Sequence, residues 1–117
     1  MVLGSLAPRE VRRMPNDITE RDVERAFAEH GRRLGAEVLK LTSPGNAGVP
    51  DRLVLFPDGT HALVELKAPG KRPRPLQQRV FSRLAAQGHP VTVVDSKAGA
   101  QLFWARNRWR FGGGGER

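Results

Sequence analysis

The sequence predicts an α/β domain, a four-stranded mixed sheet with flanking helices in the order α-β-β-β-α-β-α. Three observations carry this expectation. An amphipathic stretch with a helix-start signal runs from Thr19 to Gly35, and two apolar strands joined by Pro57-Asp58-Gly59 occupy residues 48–67 (GVPDRLVLFPDGTHALVELK). A further helix, strand and helix pattern fills the chain to Arg106. A hairpin flanked by helical segments calls for a sheet with helices packed on its faces.

Residues 1–17 show no clear periodicity and are expected to form a loose arm. Thr19 caps the first helix, Asp22 completes a capping box, and Ile18 can staple onto Val23. Val23, Phe27, His30 and Leu34 form its apolar stripe, Arg32 and Arg33 suit its last turn, and Gly35 ends it. Residues 36–41 (AEVLKL) read as the first strand, and residues 42–50 (TSPGNAGVP) as a Gly- and Pro-rich loop shaped by Gly45, Gly48 and Pro50. After the hairpin, APGKRPRP leads to a helix over about 76–87 with Leu76, Val80, Phe81 and Leu84 on one stripe and Gly88 beyond its end. Residues 90–95 (PVTVVD) form the fourth strand, Ser96 caps a last helix over about 97–106, and residues 107–117 are a basic, Gly-rich tail.

The turn decides which side chains meet. A two-residue turn on Asp58-Gly59 would set Asp51 opposite Leu66. A three-residue loop, with Pro57 at the first turn position and Gly59 at the positive-φ one, sets Asp51 opposite Glu65 and is favoured by its residues. Asp51, Glu65 and Lys67 then share a face with Leu53, Leu55 and Leu63, while Val54, Phe56, Ala62, Val64 and Leu66 line the other. Both faces are largely apolar, which predicts a hairpin covered on both sides.

With 117 residues the chain holds one core, and with no cysteine it excludes disulfides, thiolate zinc sites and thiol nucleophiles. No apolar run approaches membrane-spanning length, and MVLGSLAPREVRR lacks the apolar centre of a signal peptide, so a cytoplasmic protein with no membrane partner is expected. Residues 1–50 carry eight Lys and Arg against seven Asp and Glu; residues 51–117 carry twelve against five. That asymmetry, with Lys71, Arg72, Arg74, Arg79 and Arg83 together, suits either a polyanionic partner such as nucleic acid or a solvated basic surface.

Two carboxylates side by side repel unless a cation or a shared proton stabilises them, and a hard divalent metal is the usual answer. The ordered set G-V-P-D (residues 48–51), then Glu65-Leu66-Lys67, then a Gln early in the next helix, preceded by a helix Glu, resembles the PD-(D/E)XK nuclease superfamily. Within it the chain, from about Thr19 to Asp95, resembles a stand-alone VRR-NUC domain of phage or bacterial type. The resemblance implies a restriction-endonuclease-like core over residues 18–106 and a metal-dependent DNA endonuclease active as a homodimer on branched DNA such as four-way junctions. Asp51 and Glu65, with the Leu66 carbonyl and a first-helix Glu, would hold Mg²⁺ or Mn²⁺. Lys67 would orient the attacking water or stabilise charge on the phosphate. For the helix acid, Glu24 is preferred over Glu20, whose place in the first turn is accounted for by the helix dipole. Gln77, or else Gln78, would hold a water or phosphate oxygen, and Lys40, Lys71, Arg72, Arg74 and Arg79 would contact DNA.

The alternatives are a basic nucleic-acid-binding module without catalysis, and a nuclease subunit targeted by a partner such as a helicase. The stretch PGKRP lacks the spacing and the Ser/Thr of a phosphate loop, and His30, His61 and His89 lack zinc-like spacing. Phe103, Trp104, Trp109 and Phe111, interleaved with Arg106, Arg108 and Arg110, would stack on nucleic acid, form a subunit contact, or close the edge of the core.

Overall fold

The computed structural model describes residues 17–112. The expected N-terminal arm, apart from Asp17, and the last five residues of the expected tail lie outside the described residues. Helix α1 (Glu20–Leu34) is followed by strands β1 (Glu37–Lys40), β2 (Arg52–Leu55) and β3 (His61–Leu66). Helix α2 (Pro75–Ala86), strand β4 (Val91–Val94), helix α3 (Lys97–Arg106) and a 3-10 turn (Arg108–Phe111) complete the chain. The strands lie in sequence order, with β1/β2 and β2/β3 antiparallel and β3/β4 parallel. A parallel neighbour needs a crossover, and α2 supplies it.

Local chemistry explains the boundaries. The Thr19 hydroxyl accepts from Asp22 N–H at 3.2 Å and Asp22 Oδ2 accepts from Thr19 N–H at 2.9 Å, which closes the capping box; Gly35 ends α1 at φ +107°. The hairpin loop is the three-residue one: Phe56 N–H donates to Thr60 O at 2.9 Å, Gly59 N–H to Phe56 O at 3.0 Å, and Gly59 sits at φ +91°. Asp58 Oδ1 accepts from both the amide and the hydroxyl of Thr60, which stiffens the turn. The register that follows pairs Arg52 with Val64 and Leu53 with Leu63.

The core lies between one face of the sheet and helices α1 and α3. Val38, Val54, Phe56, Val64, Leu66 and Val94 meet Val23 and Phe27 of α1 and Ala100, Phe103 and Trp104 of α3. Trp104 is fully buried against Phe27, with ring centroids 4.8 Å apart, and its indole N–H donates to the Phe27 carbonyl at 3.1 Å. Gly31 makes that fit possible, because a Cβ there would run into the Trp104 ring. A mid-helix glycine costs about 1 kcal/mol of helix propensity, so close ring packing is its reason for being there.

Two expectations change here. The second sheet face is not fully covered: Leu53 and Leu63 are half-buried, but Leu55 is 39% exposed, and Leu39 and Val93 are each 41% exposed. The helix on that side, α2, lies against β4 and leaves β1 and β2 open. The aromatic segment near the C-terminus is also not surplus to the core. Phe103 and Trp104 are inside it, and Phe111 packs edge-on against Phe56 at 5.5 Å. Arg110 ties the 3-10 turn to the hairpin through Thr60 Oγ1 and the His61 carbonyl, so ordered structure extends into the expected tail. Only Trp109 of the four rings stays largely outside, at 66% exposure.

Candidate active site

The site forms where the ladders run out at the end of the sheet opposite the hairpin loop. One step beyond the β2/β3 register, Asp51 lies across from Glu65, and Asp51 N–H donates to Glu65 Oε1 at 3.1 Å. In return Leu66 N–H donates to Asp51 Oδ1 at 3.2 Å. The neighbouring ladders extend as far as the site, with Leu41 N–H on the Asp51 carbonyl at 2.9 Å and Lys67 N–H on the Val94 carbonyl at 3.0 Å. Backbone pairing on both sides of the hairpin therefore fixes the two acids before any ligand is involved.

Helix α2 adds an amide clamp. Gln77, which is buried, donates from Nε2 to Glu65 Oε2 at 2.9 Å. Its Oε1 accepts from Lys67 Nζ at 3.1 Å and from Arg74 N–H at 2.9 Å. Lys67 Nζ also lies 3.2 Å from Glu65 Oε2. The two Gln candidates separate cleanly, since Gln78 turns away and donates to the Pro73 carbonyl. The loop before Asp51 is held to the same helix: Gly48 has φ +91°, and a Cβ there would approach Val80 Cγ2 to 2.9 Å.

Helix α1 brings both of its acids. Carboxylate oxygens of Glu20, Glu24 and Asp51 lie within 4.8 Å of one another, so the sequence rivals are neighbours in one cluster. Glu20 and Glu24 stand one turn apart, which places both on the same side of the helix. Burial and the carboxylate of Glu65 push the Asp51 pKa up to about 6, against the pull of Arg52 and the Leu66 N–H. Burial, followed by a hydrogen bond to Glu24 and its charge, raises Glu20 as well.

All five sequence candidates for chemistry thus converge: Asp51, Glu65, Lys67, Gln77 and Glu24. Leu66 enters through its amide, while its side chain is buried in the core. The candidate DNA contacts Lys40, Lys71, Arg72, Arg74 and Arg79 are all exposed, and Lys71, Arg72 and Arg74 occupy the segment between β3 and α2 that leads out of the site. Sequence reasoning missed Arg52. It is 6% exposed, sits 3.4 Å from Glu24 and 3.7 Å from Asp51, and donates to the Asp51 carbonyl at 2.9 Å. The signal was available: strand alternation puts Arg52 on the same face as Val54 and Phe56, where a charge requires a partner.

The donor set is all oxygen and carries several clustered carboxylates, two of them with raised pKa values, which fits a hard divalent cation. Among the described residues no helix is long and apolar enough to cross a membrane.

The comparisons with known proteins agree with this geometry. The model of the VRR-NUC domain matches residues 11–98. "Putative nuclease p44" of Acyrthosiphon pisum secondary endosymbiont phage 1 is 46% identical over 90 residues, which cover 77% of this chain and 97% of the relative. A solved structure described as a VRR_NUC domain superposes with a TM-score of 0.66 at 34% identity, over 71% of this chain and 90% of that one. With three-quarters of its length matched by the family model and its site residues assembled at the strand ends, the chain belongs to the VRR-NUC domain family.

Proposed function

We propose that this protein is a divalent-metal-dependent endonuclease that hydrolyses phosphodiester bonds in DNA. The observation that carries the reading is the arrangement of Asp51 and Glu65 across one strand pair, with Lys67 held between Glu65 and Gln77. A pure binding module has no use for clustered carboxylates facing a phosphate, since they repel it.

Asp51 and Glu65, with Glu24 or Glu20 from the helix, would hold Mg²⁺ or Mn²⁺. When bound, such an ion supplies positive charge to the scissile phosphate and makes a water a better nucleophile at neutral pH. Lys67 offers N–H donors to the attacking water or to the phosphate oxygen that gains charge in the transition state. Gln77 keeps that ammonium in place by accepting from it while donating to Glu65. The water oxygen bonds to phosphorus, and the bond from phosphorus to one sugar oxygen breaks. Lys40, Lys71, Arg72, Arg74 and Arg79 hold flanking phosphates, so recognition follows backbone shape and is salt-dependent.

The preferred substrate in this reading is branched DNA, four-way junctions included, cut by a homodimer. The described residues of one chain form one such site, and paired symmetric incisions need a second copy related by a two-fold axis. Leu39, Leu55 and Val93, exposed on the open face of the sheet, suit a subunit contact better than the aromatic segment that the core absorbs.

The test is direct. The protein is incubated with labelled duplex, flap, splayed and four-way DNAs in Mg²⁺, Mn²⁺ or EDTA, and its mass in solution is measured by sedimentation. Cleavage that depends on the metal and is strongest on the four-way DNA is expected, from a dimer. Cleavage that persists in EDTA would refute the metal reading, and a monomer that cuts both strands of a junction would refute the dimer.

A further inference from the structure

Among the described residues, the buried charged side chains are Arg52 and Glu65. Glu65 belongs to the proposed chemistry, but Arg52 has no such part, and burying a guanidinium is costly where a leucine would pack without penalty. Its contacts indicate what the burial achieves. Strand alternation turns Arg52 toward α1, where Nη2 lies 3.4 Å from Glu24 Oε2. Nη1 lies 3.7 Å from Asp51 Oδ2 and donates to the Asp51 carbonyl at 2.9 Å. One planar group therefore touches an acid from the helix and an acid from the strand. Arginine is suited to this, being permanently charged with donors in a fixed fork.

The charges around the site have a simple balance. Glu20, Glu24, Asp51 and Glu65 are four carboxylates, and among the described residues Arg52 and Lys67 are the two cations paired with them. Two negative charges remain, which one divalent ion neutralises and a second would overshoot. We propose that Arg52 is a positioning residue of the metal centre, holding Glu24 against Asp51 and lowering the negative charge of the cluster to what one divalent cation neutralises. This inference rests on the metal-dependent reading above.

The test needs no DNA and no turnover. Mn²⁺ is titrated calorimetrically into the full-length protein and four variants, and melting temperatures are recorded in EDTA. Wild type and Arg52→Lys are expected to bind one Mn²⁺ per chain. Arg52→Gln should melt lower in EDTA and bind its one Mn²⁺ more tightly than wild type, since three negative charges then face the ion. Glu24→Gln should bind one ion more weakly than wild type. Glu24→Gln/Arg52→Gln should bind one ion about tenfold more tightly than Glu24→Gln alone, because both lack the carboxylate and differ only in the guanidinium charge. That last comparison stands even if Arg52→Gln does not fold. Two ions bound by wild type, one ion at wild-type affinity in Arg52→Gln, or equal affinities in the two Glu24 variants would each overturn the proposal. No uptake of Mn²⁺ by wild type would instead remove the metal reading on which the proposal depends.

Discussion

The two faces of the sheet are built on opposite terms. The face under α1 and α3 is closed, with Val54, Val64, Phe27 and Trp104 fully buried and aromatic rings in mutual contact. The other face is partly open, leaves Leu39, Leu55 and Val93 exposed, and ends in Asp51, Glu65 and Lys67. Both are made by the same strands, residue by residue in alternation. The closed face supplies stability, and the open face carries a charge arrangement that works against it, with Asp51 pushed up to about 6 by burial and by Glu65. The difference teaches that the site is a locally unfavourable arrangement held in place by the core behind it.

The contrast can be broken most sharply at the open face. Asp51→Ala, Glu65→Ala or Lys67→Ala should each lower cleavage by about a thousandfold or more, while the protein stays folded and keeps much of its DNA affinity. Cleavage assays beside binding curves check this, and a parallel loss of affinity would mean that the acids and Lys67 act in ground-state binding. Next in size, the triple change Lys71→Ala, Arg72→Ala and Arg74→Ala should flatten the salt dependence of DNA binding. The slope of log K against log salt should shrink by roughly 0.9 for each phosphate that the variant no longer neutralises.

The closed face should respond in stability alone. Gly31→Ala places a methyl group against the Trp104 ring and should cost about 1–3 kcal/mol even after its gain in helix propensity. Thermal or denaturant melts measure it, and Gly31→Ala/Trp104→Phe should recover part of the loss. The smallest effect has the opposite sign. Because folding raises the Asp51 pKa from 3.8 to about 6, the folded state binds that proton more tightly than the unfolded one. The stability this proton confers is fully present below about pH 4 and is lost as pH rises through about 6. In EDTA above that range, Asp51→Asn should therefore stabilise the protein by about 1 kcal/mol, the shift being discounted for the partial exposure of the group. A gain that persists at about pH 3.5, below both pKa values, would assign it to something other than the charge.

Most of this organisation can be read in the amino acids. Pro57-Asp58-Gly59 specifies the loop, the loop specifies the register, and the register puts Asp51 beside Glu65, because each step depends on neighbours in sequence. The Thr19 and Ser96 caps are legible for the same reason. What escapes is what distant contacts decide. The fit of Gly31 to Trp104 and the open outer face depend on how helices settle on the sheet. Arg52 lies between these cases: alternation marks it as inward, but its partner Glu24 comes from another element.

The spacing of these contacts along the chain has a consequence for how the molecule assembles. Asp51, Glu65, Lys67 and Gln77 fall within one short run of sequence, whereas the Phe27–Trp104 contact spans 77 residues. Closing long loops costs more entropy than closing short ones, and contacts of low sequence separation form sooner. The hairpin with its helix is thus expected to form the folding nucleus, and the aromatic lock between the first and last helices to close late. Conservative truncations at Leu53 and Leu63, which pair across the hairpin on the face away from that lock, should then slow folding, while those at Phe27 and Phe103 should mainly speed unfolding. On that order of events the register that pairs the two acids is set before the core that stabilises them is complete.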